Sequence, residues 1–326
     1  MLKTRLDLDR IRAARRVIDP VFLDTPLFPC DALGRALGCA VSVKLETANP
    51  VRSFKARGTE LVTGLLKDRG QTAAVCASAG NLGWALAWSG RRRGLDVTVV
   101  ASHRAPAAKL DRIRALDTAL ELVDGDFEAA RERAADIARR RGIRLVEDSL
   151  DLETCEGAAT IGLELAREAP SRGGEPGFDA VLIALGGGAM ATGVGHVLKE
   201  LAPGVEVICV QPQGAPAMTL SWRERRVVST ASADTIADGV AGRHPIPEVL
   251  DDLLQVADDT VLVREESIVA GMRMLLEHAG LVVEPSAALG VAAVLEDPAR
   301  FAGRHVVTII CGGNVNLDDY HRWVRP

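Results

Sequence analysis

Short β-branched runs alternate with amphipathic helical runs almost throughout this chain, and that alternation leaves few folds open to it. The strand-like runs are 41–45, 74–77, 97–101, 120–123, 180–184, 205–210 and 305–310; helical patterns cover 82–93, 127–141, 154–167 and 265–279. Strands separated by helices read as parallel sheets covered by helices on both faces. Two such series are present, divided by a turn-rich stretch over 147–153. The expectation is an α/β chain with two open, twisted, mostly parallel sheets. A large domain is expected to comprise 1–47 and 152–326 and a small one 48–151, with ligands bound between them at the carboxyl ends of the strands. The glycine-rich stretch 171–177 reads as a surface loop.

Within that frame, Lys55 stands out. Ser53-Phe54-Lys55-Ala56-Arg57-Gly58 follows a strand and the turn signal Asn49-Pro50, and opens a helical run through Leu66. Lys55 therefore sits at a helix start, where backbone amides disfavour an ammonium and favour a nucleophilic amine. The chain has only six lysines, Lys3, Lys44, Lys55, Lys67, Lys109 and Lys199, so the candidates for amine chemistry are few. An isolated helix-start lysine would ordinarily face water; the other segments at strand ends argue against that here.

Gly186, Gly187 and Gly188 follow the run 180–184 directly, with Ala189 and Met190 next. Consecutive glycines let N–H groups converge on an anion at a helix start, so this is a phosphate cradle. It is no Walker loop, since no Gly-Lys-Ser/Thr comes after it. A dinucleotide site would need an acidic residue after the next strand, where this chain has Gln211. Ser78, Ala79, Gly80 and Asn81 end another strand and could grip a carboxylate or a phenolic oxygen; as helix caps, Ser and Asn are also ordinary. Cys311, Gly312, Gly313 and Asn314 end the run 305–310, and Cys311 is either a neutral partner for a ring nitrogen or a buried structural thiol.

A net charge of −5 offers nothing to a nucleic acid. Arg91, Arg92 and Arg93 read as a solvated cap at a helix end. The most apolar stretch, 180–198, is broken by five glycines and His196, which excludes a membrane span. The start has no apolar signal core. Six cysteines without a CxxC pair, and no paired histidine spacing, point to free thiols in a reducing cytoplasm and to no metal site.

In this order the segments resemble the fold-type II pyridoxal-phosphate enzymes, the tryptophan-synthase-β-like fold, and more narrowly the serine/threonine dehydratase family in its short form without a regulatory domain. The resemblance covers nearly the whole chain: Thr25-Pro26-Leu27, Lys44 to Pro50, Ser53 to Gly58, Ser78 to Asn81, Glu156-Gly157, the glycine loop, Glu284-Pro285-Ser286 and Cys311 to Asn314. It implies that Lys55 holds pyridoxal 5'-phosphate as a Schiff base and later removes the substrate's α-proton, with Phe54 packed on the ring and Asn81 bonded to its 3-hydroxyl. It implies that Gly186, Gly187, Gly188, Ala189 and Met190 bind the phosphate through main-chain N–H groups. Ser78, Ala79, Gly80 and Asn81 would line the substrate carboxylate pocket, with Ser78 catalytic, and Cys311 would face the pyridine nitrogen. A thiol of ordinary pKa about 8.5 stays neutral there, so the ring is a modest electron sink that favours prompt loss of a β-leaving group.

Departures from the pattern narrow the activity. Ala79 stands where racemases carry a second Ser as acid/base. Gln211 and Ala217 stand where metal-stimulated relatives carry carboxylates. Leu82 and Trp84 replace a polar pair, and Trp84 either reshapes the pocket or fills the core. The resemblance therefore implies a dehydratase that converts a β-hydroxy amino acid, L-threonine or L-serine first, to a 2-oxo acid and ammonia, as a cytoplasmic homodimer. The rivals are a β-replacement enzyme of the cysteine-synthase type, a dehydratase of a bulkier β-hydroxy amino acid, a nicotinamide dehydrogenase, and a catalytically silent carrier of the cofactor.

Overall fold

The computed structural model describes residues 2–169 and 177–325. Ten strands form among them: β1 Leu27–Pro29, β2 Ala40–Leu45, β3 Ala73–Ala77, β4 Asp96–Ser102, β5 Ala119–Val123, β6 Arg144–Val146, β7 Ala180–Ala184, β8 Glu206–Pro212, β9 Asp259–Val263 and β10 His305–Ile310. They make a six-stranded sheet in the order β1-β2-β10-β7-β8-β9 and a four-stranded sheet in the order β5-β4-β3-β6. Every pairing is parallel except β1 with β2. The α/β architecture with two mostly parallel sheets is therefore as expected. All of the loop anticipated at 171–177 except Gly177 lies outside the described residues.

The strands that the residue pattern left unread, β1, β6 and β9, are all sheet edges. Edge strands are covered on fewer sides and carry no continuous apolar run. Most of their residues are only partly buried or exposed. The central strands β3 and β7 are buried at all five positions and announce themselves.

Strand order locates the site. From β7 the chain runs outward through β8 to β9, then returns across to β10 on the other side of β7, so the sheet changes direction between β7 and β10. In the small sheet β3, β4 and β5 run one way and β6 returns to the far side of β3. Crevices at such reversals, beyond the carboxyl ends of the strands, are where open α/β sheets bind ligands.

Two helices join the sheets. Helix Lys55–Asp68 crosses helix Leu152–Glu168 at a glycine contact: a Cβ built on Gly157 would lie 2.6 Å from the Gly58 nitrogen and 2.5 Å from the Arg57 carbonyl. Beside this crossing lies a buried charge cluster. Arg57 donates to Glu46 from Nε at 2.8 Å and to Glu164 from Nη1 at 2.6 Å. Lys44 Nζ donates to Glu164 at 2.5 Å and to the Thr25 carbonyl at 2.6 Å. The hydroxyls of Thr25 and Thr160 take up remaining valences at 2.6 Å and 2.9 Å. Arg57 and Lys44 are each 1% exposed, so these charges have left water and depend wholly on one another. Burial by itself would raise the Glu164 carboxyl; hydrogen bonds and charge from Arg57 and Lys44 overcome it and hold the group at about 2.

The triple arginine is more than a solvated cap. Arg91 pairs with exposed Asp117, and Arg92 lies over the Trp88 ring at 4.9 Å. Arg93 turns inward to the Glu60 carboxylate at 2.6 Å and the Val17 carbonyl at 2.9 Å, pinning the amino-terminal segment to helix Lys55–Asp68.

The helix crossing and the charge cluster can each be tested. Gly157→Ala places a methyl against immovable backbone and should cost about 1–3 kcal/mol or more, read from the urea midpoint. Because the folded Glu164 titrates at about 2 against an ordinary 4.5, its contribution is full above 4.5 and is lost as pH falls from there towards 2. Glu164→Gln should flatten that part of the stability–pH curve.

Candidate active site

The segment that carries Lys55 is shaped by its own side chains. Asn49 bonds the Glu46 carbonyl at 2.7 Å and accepts from the Val51 nitrogen at 3.0 Å, closing the turn around Pro50. Arg52 takes a left-handed conformation, φ 50°. The chain then pairs against the end of β10: Ser53 bridges Gly312, the Phe54 nitrogen donates to the Cys311 carbonyl at 3.1 Å, and Gly313 donates to the Arg52 carbonyl at 3.0 Å. Lys55 is the first residue of its helix, as expected. Its Nζ lies 4.6 Å from the centre of the Phe54 ring and donates to Asp148 Oδ2 at 2.5 Å. The residue pattern put Lys55 against helix amides alone; the structure adds an anion that opposes their effect on its charge.

The glycine loop leaves β7 and opens helix Ala189–Leu201. Gly188, at φ 109°, holds a conformation that side chains rarely adopt. A Cβ on Gly187 would lie 2.6 Å from Ser149 Oγ, and one on Gly186 3.1 Å from the Gly239 carbonyl. The N–H groups of Gly186, Gly187 and Gly188 have no partner among the described residues, the signature of a cradle for an anion. Ala189 differs from expectation: its N–H donates to Ser149 Oγ at 3.1 Å. Met190 is buried, its side chain in the core of the large sheet.

Ser78, Ala79, Gly80 and Asn81 leave β3 and open helix Asn81–Arg93. Gly80 N donates to Ser78 Oγ at 3.1 Å. Gly83 is obligatory one turn on, since a Cβ there would lie 1.9 Å from the Ser78 carbonyl. Asn81 reaches across to the large sheet, donating to Glu284 at 2.9 Å and accepting from Asn314 Nδ2 at 2.8 Å. Glu284 also accepts from the Asn314 nitrogen at 3.2 Å, and a Cβ on Gly312 would lie 2.3 Å from its carboxylate. Burial pushes the Glu284 carboxyl up. Burial, and then the Glu284 charge, push the Cys311 thiol well above the ordinary thiol range, so it is neutral. Trp84 packs at the edge of two core clusters, with the guanidiniums of Arg52 and Arg112 each 5.8 Å from its ring.

The structure thus gathers Lys55, the Ser78 segment, the glycine loop and Cys311 at the facing strand ends of the two sheets. It also adds residues that carried no sequence signal, Asp148 and Ser149. They come after β6, the short edge strand; read as a strand, 144–146 would have put both at a strand's carboxyl end. Ser149 is held at φ 66°. Gln211, by contrast, is used internally, accepting from the Thr219 nitrogen at 3.0 Å. Among the described residues no three His, Cys, Asp or Glu side chains group as a metal site.

A group with a ring, an electrophilic carbonyl and a phosphate fits these residues. Free amides of the glycine loop await an anion, the Lys55 amine stands beside an aromatic wall, and the uncharged Cys311 thiol closes the far end. Buried Oδ1 atoms of Asp148 and Asn314 remain unpartnered.

Comparison with known proteins agrees. A family profile described as pyridoxal-phosphate dependent enzyme matches residues 18–312. The L-threonine ammonia-lyase of Thermotoga maritima is 31% identical over 98% of this chain and 78% of its own length. A serine racemase of Oryza sativa is 28% identical over 95% and 91%. The solved structure of threonine deaminase isoform 2 from Solanum lycopersicum, in its processed form, superposes with a TM-score of 0.87 at 28% identity, over 99% of this chain and 91% of that one. With the profile spanning most of the chain and the cradle, amine and neutral ring wall in one cleft, the chain belongs to the pyridoxal-phosphate dependent enzymes.

Proposed function

We propose that the chain is an ammonia-lyase that dehydrates a β-hydroxy amino acid by β-elimination, L-threonine and L-serine first, giving a 2-oxo acid and ammonia. The observation that carries this reading is the neutral, buried Cys311 at the end of β10, across the cleft from Lys55. Bound pyridoxal phosphate supplies an electrophilic carbonyl and a conjugated ring that accepts electrons. An uncharged thiol at the ring's far end limits how long negative charge can rest there and favours immediate expulsion of a β-hydroxyl.

The chain's own groups take the remaining roles. Lys55 holds the cofactor and removes the α-proton. Gly186, Gly187 and Gly188 fix the phosphate with their free N–H groups. Met190 lies in the first turn of that helix; Ala189, with its N–H on Ser149, contributes by closing the cradle. Phe54 stacks beside the ring, and Asn81, held by Glu284 and Asn314, meets the ring hydroxyl. Ser78, Ala79 and Gly80 bind the substrate carboxylate at the start of helix Asn81–Arg93, with Ser78 the hydroxyl nearest the reacting carbon. The printed names of the threonine ammonia-lyase and threonine deaminase relatives support this substrate class. The racemase relatives favour a second outcome at the same carbon, but Ala79 has no proton to give to the opposite face. We read 1–47 with 152–326 as the cofactor-binding domain and 48–151 as the small one. We read the protein as a cytoplasmic homodimer that takes a small amino acid, with no metal, nucleic acid or membrane. Six described cysteines, all free and buried, support the reducing compartment. No helix among the described residues is long and apolar enough to cross a membrane.

Lys55→Ala should lower 2-oxo acid formation from L-threonine by about 10²–10⁴-fold or more, with loss of the cofactor's visible band; retained turnover would sink the mechanism. Wild-type enzyme incubated with L-serine should accumulate no D-serine on chiral chromatography while pyruvate forms. Racemisation as fast as elimination would refute the role given to Ala79.

A further inference from the structure

Asp148 has a place in the site that neither the family profile nor the relatives assign. Its Oδ2 lies 2.5 Å from Lys55 Nζ, its side chain is 32% exposed, and its Oδ1 is buried without a partner. A carboxylate that close to an amine stabilises the ammonium form, which is the form Lys55 reaches once it has taken a proton.

The turn that presents Asp148 is held from every side. The next residue, Ser149, is strained at φ 66° and fully buried. Its nitrogen donates to Thr154 Oγ1 at 3.1 Å, and its carbonyl accepts from Cys155 Sγ at 3.2 Å. Its hydroxyl accepts the Ala189 N–H of the phosphate cradle. From the amino-terminal segment, Arg5 donates to the Leu150 carbonyl at 3.0 Å while its Nε grips Asp252 at 2.7 Å. Strained backbone persists only when its surroundings over-determine it, and it concentrates at functional positions.

The charged groups around the pair are otherwise engaged. Glu147 faces Arg131 at 3.2 Å and Asp151 faces Arg144 at 2.9 Å. The thiols of Cys76 and Cys155 are pushed by burial to about 12 and stay neutral.

We propose that Asp148 is the positioning and proton-holding partner of Lys55, stabilising the ammonium that forms when Lys55 takes the substrate's α-proton. This rests on the reading of Lys55 as that base. In the step, the α C–H bond breaks and an N–H bond forms on Nζ. The electron pair left on carbon expels the β-hydroxyl, which in the net balance departs as water with that proton. Asp148 exchanges no atoms; it lowers the energy of the charge created on Nζ and keeps Nζ on one line of approach.

The test compares wild type with Asp148→Asn and Asp148→Glu in the full chain. On cofactor-stripped protein, acetic anhydride labelling of Lys55 at fixed mildly alkaline pH, mapped by peptide mass, should be several-fold faster in Asp148→Asn, because the free amine is no longer held as an ammonium. On the holoenzyme, kcat should fall about 10–100-fold with KM little changed, and the α-deuterium isotope effect should grow as proton removal becomes limiting. Asp148→Glu should restore part of both. Asp148→Ser serves if the Asn variant does not fold. Unchanged labelling and an unchanged isotope effect in the Asn variant overturn the proposal. Borohydride reduction of wild-type holoenzyme separates the two failures: if no cofactor is fixed on the Lys55 peptide, the reading of Lys55 itself fails.

Discussion

The buried exchange of charge around Arg57 is the contact on which the rest of the molecule depends. Arg57 lies two residues after Lys55, and its guanidinium is shared between Glu46, at the end of β2, and Glu164, on helix Leu152–Glu168. Such a cluster adds little net stability over a well-packed apolar one, yet it does not tolerate the loss of a member, because each remaining charge would be stranded away from water. What it contributes is register. Helix Lys55–Asp68 can meet β2 and helix Leu152–Glu168 in one arrangement only, and that arrangement sets the depth of Lys55 in the cleft. The glycine contact at Gly58 and Gly157 allows the helices to come close enough for the charges to meet.

Much of the fold was legible for a simple reason. Central strands buried on both faces must be continuously apolar, so β3, β4, β7, β8 and β10 could be read to within a residue or two. Edge strands need not be, and β1, β6 and β9 escaped. The site was legible where local backbone chemistry forces a residue type. Gly186, Gly187 and Gly188 can be nothing else if their amides are to converge, and the Asn49-Pro50 turn before Lys55 declares itself. The site was illegible where a role depends on a partner distant in sequence. Nothing near Asp148 reveals that Lys55 lies beside it, and the Glu284–Asn81–Asn314 network joins three segments that share no pattern. Arg93 shows the same limit: three adjacent arginines look alike on paper, and only packing turns one of them inward.

The cleft is also electrically asymmetric. At the cradle end, unpartnered N–H groups and a helix start create a positive potential suited to a phosphate. The ring end is built from a neutral thiol and a carboxyl whose charge burial opposes. Beside the amine stands a single carboxylate. A site graded in this way orients a ligand that is anionic at one end and neutral at the other before any specific bond is made.

The strand order has a consequence for the life of the polypeptide. The small sheet is built from one uninterrupted stretch of chain, β3 through β6, and can assemble as soon as that stretch has left the ribosome. The large sheet cannot. β2, near the beginning, lies directly between β1 and β10, and β10 is almost the last segment to be made. Until translation is nearly finished, one whole edge of β2 has no neighbour, and the apolar faces of β2, β7 and β8 stand open to the cell. Such a polypeptide depends on chaperones during synthesis and is vulnerable to any premature stop. Losing the final few dozen residues would remove the strand that joins the two halves of the sheet, together with the ring end of the cleft.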